Sequence, residues 1–481
     1  MAIVAPIELA YAQWLAEEET ERQQNIVIAR DYYEGEQAVP LTDRQKAYLG
    51  FLMKKSRWAL NYCKTVVNAP AERMIVSGFT ADADEDPFAA QVWEWWEGNR
   101  MDGLQGDVHT SAMCDGQYFV FVDWDEDHPR WTLHERYTDS SVEGTGYGCK
   151  AFYPDDDHRR ACEYVTKRWT EQINGKPEQR LNVYRPDRIE RYILKPTKEG
   201  DWQPYSPAAE DGKPAELAVE PWVDGSDAPL GIPIIHFKNK SLKSELWDAI
   251  PVQDAINKQA LDMLSVCDAS GFPILWASGF IPTDDGLPPE SDGGNLLQIT
   301  PGAMVATDNT DAKLGVIPSA DLSPMLDALD SMIIKLAQIT DTPISRFQMT
   351  RQVAAEGTLK QQEEPLLAKI RDRQVDFGNA WEDVMYMSRR LANHLGGADL
   401  DEATMLSTEW EPAETRDDKA LREGLLIEMQ LGVPQEKLWE KMGYSPDEIA
   451  EMRAQKADEM QQESNIGGAL LRDFERGGTV Q

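Results

Sequence analysis

The order of elements between Leu242 and Gly397 constrains this chain more than any other feature. Two amphipathic helical patterns, about 250–268 and 323–340, flank roughly fifty residues of strand-and-turn character. A polar loop follows at about 341–357, and then a helical pattern of nearly forty residues interrupted once, by Pro365. A compact enzyme has little use for a helix that long. A chain that stands as one stave in a ring does.

The first of these helices puts Val252, Ala255, Ile256, Ala260, Met263, Leu264 and Cys267 on one face. Pro251 suits its first turn, where amides have no partners to lose. Ser323 is expected to cap the second helix and Pro324 to occupy its first position. Its apolar face is Met325, Leu326, Leu329, Met332, Ile333 and Leu336. The third helix carries Leu366, Ile370, Phe377, Trp381, Val384, Met385, Leu391 and Leu395, and it stops at Gly396-Gly397. Pro365 removes an amide and crowds the carbonyl four residues earlier, so a kink is expected there.

Ahead of this block the pattern is mixed. Helices are expected at 6–34, about 56–74, 92–98 and 103–114. From Gly116 the period changes to two: residues 117–123, 131–134, 161–169, 180–184, 189–194 and 231–237 read as strands. Residues 195–231, rich in Pro, Gly and Asp, read as a long loop. Residues 271–317, cut by Pro282, Pro288, Pro289 and Gly293-Gly294, read as a small, mostly β subdomain. Beyond the long helix come helices at 415–431 and 435–442, then a capping box with proline at the first position, Ser445-Pro446-Asp447-Glu448. The fold class is α+β and multidomain.

Acidic residues number 84 against 48 basic, a formal charge of −36 spread along the chain. Such a balance repels nucleic acid and anionic membranes rather than holding them. Five cysteines without a CxxC pair suit reduced thiols and an intracellular setting. The first residues lack a basic n-region, and no apolar run approaches the roughly 20 residues a membrane span needs.

Motifs that would carry covalent chemistry do not assemble. Asp123, Asp125 and Asp127 mimic the opening of a calcium loop, but His128 replaces the turn glycine and His134 the bidentate acid, so an acidic hairpin turn is the better reading. Cys149, His158 and Cys162 have no fourth ligand at zinc spacing. No Walker A, HExxH or GxSxG sequence is present. No cofactor or metal is called for. Arg346 and Arg351 stand out because they lie in the polar loop of a strongly acidic chain. That loop is either an ordinary solvated connection or one that projects toward a polyanion.

Three stretches together resemble the portal proteins of tailed bacteriophages. The first is Trp58-Ala59-Leu60-Asn61-Tyr62-Cys63 through Val66-Val67-Asn68-Ala69-Pro70-Ala71-Glu72-Arg73, with Gly78-Phe79. The second is Gly231 to Asn239, then Asp254-Ala255-Ile256-Asn257-Lys258 and Pro273 to Gly279. The third is Ala355 to Lys360 through Phe377-Gly378-Asn379-Ala380-Trp381. The sequence departs from the usual pattern at Trp247-Asp248, where the family often has glycine and serine. The resemblance implies a portal fold: an α/β wing (1–240), a first stem helix (241–270), a clip (271–320), a second stem helix (321–340), a tunnel loop (341–357), a long kinked helix (358–397) and a helical crown (398–481).

The resemblance further implies a ring, usually of twelve copies, at one capsid vertex, through which double-stranded DNA is packaged and ejected. The implied partners are other copies of the chain, the large terminase subunit, the head–tail connector, and the major capsid and scaffold proteins, with no membrane. The implied locations are the virion and, during assembly, the host cytoplasm. Arg346, Gln348, Thr350 and Arg351 are then the expected DNA-facing residues of the tunnel loop. Val252, Ile256, Met263, Met325, Leu329, Ile333 and Leu336 are expected to pack the stem helices against neighbouring subunits. Two other classes stay open from sequence: an acidic cytosolic enzyme with its site on the N-terminal α+β part, and another virion component such as a connector.

Overall fold

The computed structural model describes residues 17–38, 43, 59–82, 87–125, 128–134, 148–173, 176–194, 202–206, 217–271, 275–278, 311, 313–316, 321–347, 356–414, 425–442 and 452–453. Contacts divide the chain into one unit through Ala413 and a second of Glu414–Gln481. The break expected after residue 397 therefore falls later. Strand Leu406–Trp410 returns to pair with Val76–Ala81, and Leu406 joins the main core of the first unit.

The first unit opens with α1 (Glu17–Glu34), α2 (Cys63–Ala71), β1 (Val76–Ala81), α3 (Pro87–Gly98) and α4 (Met101–Asp115). α2 is shorter than the sequence pattern, because Leu60 to Tyr62 run as a non-helical lead-in. Residues 6–16 of the expected first helix lie outside the described residues. α4 ends at Gly116, whose φ of 87° only glycine adopts without strain; a Cβ there would stand 2.6 Å from the Leu242 carbonyl oxygen.

The strands follow as expected, with additions. β2 (Gln117–Asp125), β3 (His128–His134) and β10 (Ile234–Lys238) form a three-stranded antiparallel sheet in the order β10-β2-β3. β4 (Gly148–Phe152), β5 (Tyr164–Ile173), β6 (Lys176–Tyr184), β7 (Arg188–Leu194) and β8 (Trp202–Pro204) form a meander, with β9 (Val219–Pro221) also pairing β7. The stretch read as one long loop from 195 thus contributes two short strands. β2 is covered on both faces. Phe119 and Phe121 meet Val165, Tyr184 and Ile189 of the meander, whereas Tyr118, Val120 and Val122 enter the helical core.

α5 (Ile250–Gly271) is followed by the hairpin β11 (Leu275–Ser278) and β12 (Lys313–Val316); the rest of the expected β subdomain lies outside the described residues. Then come α6 (Ser323–Ile339), α7 (Glu356–Leu395) and β13 (Leu406–Trp410). α7 is the axle of the first unit. Its Leu366, Ile370, Phe377, Trp381, Val384, Met385 and Leu391 are all buried, as the stripe predicts, but Leu395 is 50% exposed, because the chain turns away there. Trp381 lies edge-on to Trp96 (4.9 Å) and Phe237 (4.8 Å). Burying each large apolar side chain contributes about 1.5–3 kcal/mol, so this stripe accounts for why so long a helix stays ordered. Helical geometry continues through exposed Pro365. It ends where Gly397 adopts φ 66° and the Ala398 amide donates to the Ala392 carbonyl.

In the second unit, residues 425–430 are helical and close at Gly432 (φ 88°), and α8 spans Gln435–Met442. Leu425 and Leu438 are buried. The Ser445 capping box lies outside the described residues.

Candidate functional site: the helix pair and the polar connection

α5 and α6 pack on one another within a single chain. Ala249, Ile256, Ile333 and Leu336 form a buried cluster, with Val252, Leu329, Met332, Leu60, Tyr62, Ile344 and Phe347 packed against it. This corrects the expectation that Ile256, Ile333 and Leu336 wait for a neighbouring subunit: they are 0%, 3% and 0% exposed in the lone chain. The periodicity identified an apolar face but not which partner covers it. Met263 and Met325 are half-buried, and the Met325 carbonyl accepts a bond from Gln259 at 3.5 Å. The apolar side chains that remain uncovered lie elsewhere on the pair: Leu264, Leu326, Ile334 and Ile339.

Two polar residues inside α5, Gln253 and Asn257, are fully buried, one turn apart. Gln253 accepts from the Tyr62 amide (3.0 Å) and donates to the Leu60 carbonyl, and Asn257 accepts from the Leu60 amide (2.9 Å). Side chains of one helix thereby take the place of a strand for residues 60–62. Burial of Gln253 is tolerable because both ends of its amide are partnered, whereas Asn257 is satisfied at its oxygen and its buried Nδ2 has no partner among the described residues. Asp254 accepts the Tyr32 hydroxyl at 2.6 Å. Leu60–Tyr62 and Gln253–Asn257 are therefore two sides of one contact.

Ser323 does not cap α6. The position ahead of the helix is Leu322, with no side-chain cap bond, and Asp321 accepts from the Ser323 amide at 2.9 Å. That bond holds the Asp321 carboxyl below its usual range. α6 ends at Thr340, and the chain turns through Asp341 (φ 53°) into a short 3-10 turn, Ile344–Arg346. Phe347 meets Tyr62 edge-on at 5.8 Å.

The polar connection therefore starts from a built anchor. Arg346, expected to point to DNA, is ion-paired with Glu72 at 3.2 Å. Gln348, Thr350 and Arg351 lie outside the described residues. On the far side, Glu363 of α7 is paired with Arg73 at 2.9 Å. Lys369, one turn past Pro365, donates to the Thr340 carbonyl (3.3 Å) and pairs with Glu245 (2.7 Å). Glu245 also takes Arg373 at 2.6 Å, and its own amide donates to the Met113 carbonyl. Despite burial, the two cations hold the Glu245 carboxyl below its usual range. Nothing in the sequence marked Glu245, since its partners are more than 120 positions away.

His109, Cys63 and Cys149 have structural surroundings. His109 on α4 is buried. Its Nε2 accepts from Trp381 (3.0 Å) and its Nδ1 lies 3.1 Å from the Met74 carbonyl, so the bonds assign the proton to Nδ1. Burial lowers its pKa to about 4. Burial pushes the Cys63 and Cys149 thiols up to about 12. Among the described residues no group of three His, Cys, Asp or Glu side chains could hold a metal ion, and no described helix is long and apolar enough to cross a membrane. A cleft of about 520 Å³ between α7 and β10 is lined by Tyr153, His236, Lys238, Asp376, Asp383 and Arg390, among others.

Comparison with known proteins bears directly on this geometry. Residues 12–462 match the family model described as phage portal protein, SPP1 Gp6-like. The chain is 22% identical over 460 residues to a portal protein of Mycobacterium phage D29, covering 90% of this chain and 85% of the relative. It is 22% identical over 424 residues to the portal protein of Mycobacterium phage L5, covering 82% and 78%. A chain from the virion of a native gene transfer agent particle aligns over 80% of this chain and 88% of its own length, at 11% identity and a TM-score of 0.41. With nearly its whole length matched by one family model, this chain belongs to the SPP1 Gp6-like phage portal proteins.

Proposed function

We propose that copies of this chain close into a ring at one capsid vertex and form the conduit through which double-stranded DNA enters and leaves the virion. The single observation that carries this is the family match over residues 12–462. The family is structural rather than enzymatic. The helix pair supports the ring. Its inner cluster is satisfied within the chain, yet Leu326, Ile334 and Ile339 stay 48%, 44% and 51% exposed on α6, and Leu264 is exposed on α5. Exposed apolar side chains of this kind suit a heterologous contact that closes by rotation. In this reading 1–240 is the wing, α5 and α6 are the stem helices, 271–320 the clip, 341–357 the tunnel loop, α7 the long helix behind it, and the C-terminal helices the crown.

The conduit needs no covalent chemistry. DNA carries one charge per ~1.7 Å of axis, and a cationic wall would hold it by releasing counterions. At −36 per copy, repeated around a ring, an acidic wall repels the duplex from all sides and leaves it free to slide. The partners of such a ring are the large terminase subunit during filling, the connector afterwards, and the capsid and scaffold proteins around it. Assembly takes place in the host cytoplasm before the ring becomes part of the virion. Negative-stain imaging of the purified chain tests this: rings with an axial hole are expected, and a population of solitary particles at all concentrations would overturn it.

A further inference from the structure

Two neighbouring residues of opposite charge, Glu72 and Arg73, follow α2. Glu72 is the C-cap of that helix, and its amide is held by the Asn68 carbonyl at 2.9 Å. Their side chains reach the two flanks of one connection. Glu72 pairs with Arg346, which precedes residues 348–355, and Arg73 pairs with Glu363, which follows them. Those flanks are joined in sequence only through that connection, yet both are held from adjacent residues at the end of α2.

The two arms differ in strength. Glu72 and Arg346 are 55% and 36% exposed, and the pair is open to water and salt. Exposed pairs of this type contribute little and are screened by salt. Arg73 and Glu363 are 17% and 25% exposed, and Arg73 also donates to the Ala413 carbonyl at 3.3 Å. Aromatic contact between Tyr62 and Phe347 adds to the weaker arm without depending on charge.

We propose that Glu72 and Arg73 are positioning residues for the connection between α6 and α7: Arg73 holds the α7 flank permanently, and Glu72 holds Arg346 in an exchangeable pair that a phosphate backbone can compete for. This rests on the conduit reading, which brings DNA near that connection. The competition has a simple physical basis. Arg346 presents a planar fork that matches carboxylate and phosphate alike. A passing phosphate replaces one anion by another, so Arg346 is not moved from water into a bare cationic site at each contact. Glu72 thereby lowers the grip of Arg346 on DNA.

The test uses the full-length chain and reads amide hydrogen exchange in 344–347 and in 360–366, at low and high salt, with and without a short DNA duplex. Glu72→Gln is expected to speed exchange at 344–347 by about 1.5- to 5-fold at low salt. High salt should bring wild type to the same level, while 360–366 stays unchanged. Arg73→Gln, or Glu363→Gln should that variant fold poorly, is expected to speed 360–366 by about tenfold or more with little salt dependence. Reversing the pair in Glu72→Arg with Arg346→Glu should restore protection at 344–347, which a purely steric role for Glu72 would not do. Glu72→Gln should also bind the duplex more tightly than wild type, and Arg346→Gln more weakly. Equal exchange in wild type and Glu72→Gln at low salt, or no restoration by the reversed pair, overturns the clasp. Unchanged duplex binding in both variants overturns the competition. Particle mass measured on the same samples reports ring formation separately, so a failed ring and a failed clasp give different results.

Discussion

Replacing Glu245 by glutamine probes the junction that ties α7 to the rest of the first unit. Glu245 is about one-tenth exposed, as are Lys369 and Arg373, and it accepts from Lys369 at 2.7 Å and from Arg373 at 2.6 Å. The turn that carries it is fastened to α4 through its own amide. Glutamine preserves the shape and keeps one acceptor, but it takes the carboxylate from buried Lys369 and leaves Arg373 with Asp372 as its anionic partner. Removing one member of a buried pair costs about 3–5 kcal/mol. Because the amide oxygen still accepts one charged bond, the expected loss is ~2–4 kcal/mol. Urea unfolding of monomeric protein at neutral pH, followed by tryptophan fluorescence, measures it. The pH dependence adds a second check. The folded carboxyl titrates below its ordinary range, so its contribution is complete above the unfolded glutamate value near ~4.3 and is lost as pH falls through the lower folded value. The gap between wild type and Glu245→Gln must therefore narrow as pH drops from about 5 toward 3. Replacing Glu245, Lys369 and Arg373 together by methionine should recover most of the loss, since no charge is then stranded. A loss under about 0.5 kcal/mol at neutral pH, or a gap that does not change with acid, would show that the cluster does not hold α7.

Ile333→Asp and Ile334→Asp, one residue apart on α6, should fail differently. The first places a charge in the closed cluster and unfolds the helix pair, read as loss of helical signal. The second lies 44% exposed, so monomer stability should change by less than about 1 kcal/mol while ring mass is lost in native mass measurement. His109, with its pKa lowered to about 4, binds a proton in the unfolded chain before it does in the folded one. Stability should accordingly fall as pH drops from about 6.5 to 4, by about 1.4 kcal/mol per unit from this group alone, and His109→Asn should flatten that slope in acid-unfolding curves. Asn257→Leu removes the acceptor for the Leu60 amide inside a closed contact. A loss of about 1–3 kcal/mol and faster exchange at residues 60–62 are expected.

Local pattern was enough to locate the major elements. The stripe on α7, the paired helices, the change of period at Gly116 and the glycine stops at Gly397 and Gly432 were all legible, because each depends on residues a few positions apart. Sequence order also pointed to the family that the comparisons show. What it did not carry was the identity of each partner. An amphipathic face states that something must cover it. Only the packed chain shows that Ile256, Ile333 and Leu336 cover one another while Leu326 and Ile334 stay exposed. Likewise, a basic residue in a polar loop carries no record of Glu72 waiting hundreds of positions upstream. Periodicity is a property of neighbours along the chain, whereas ion pairs, orphaned faces and the return of β13 to β1 are set by closure of the fold, which no short window of sequence contains.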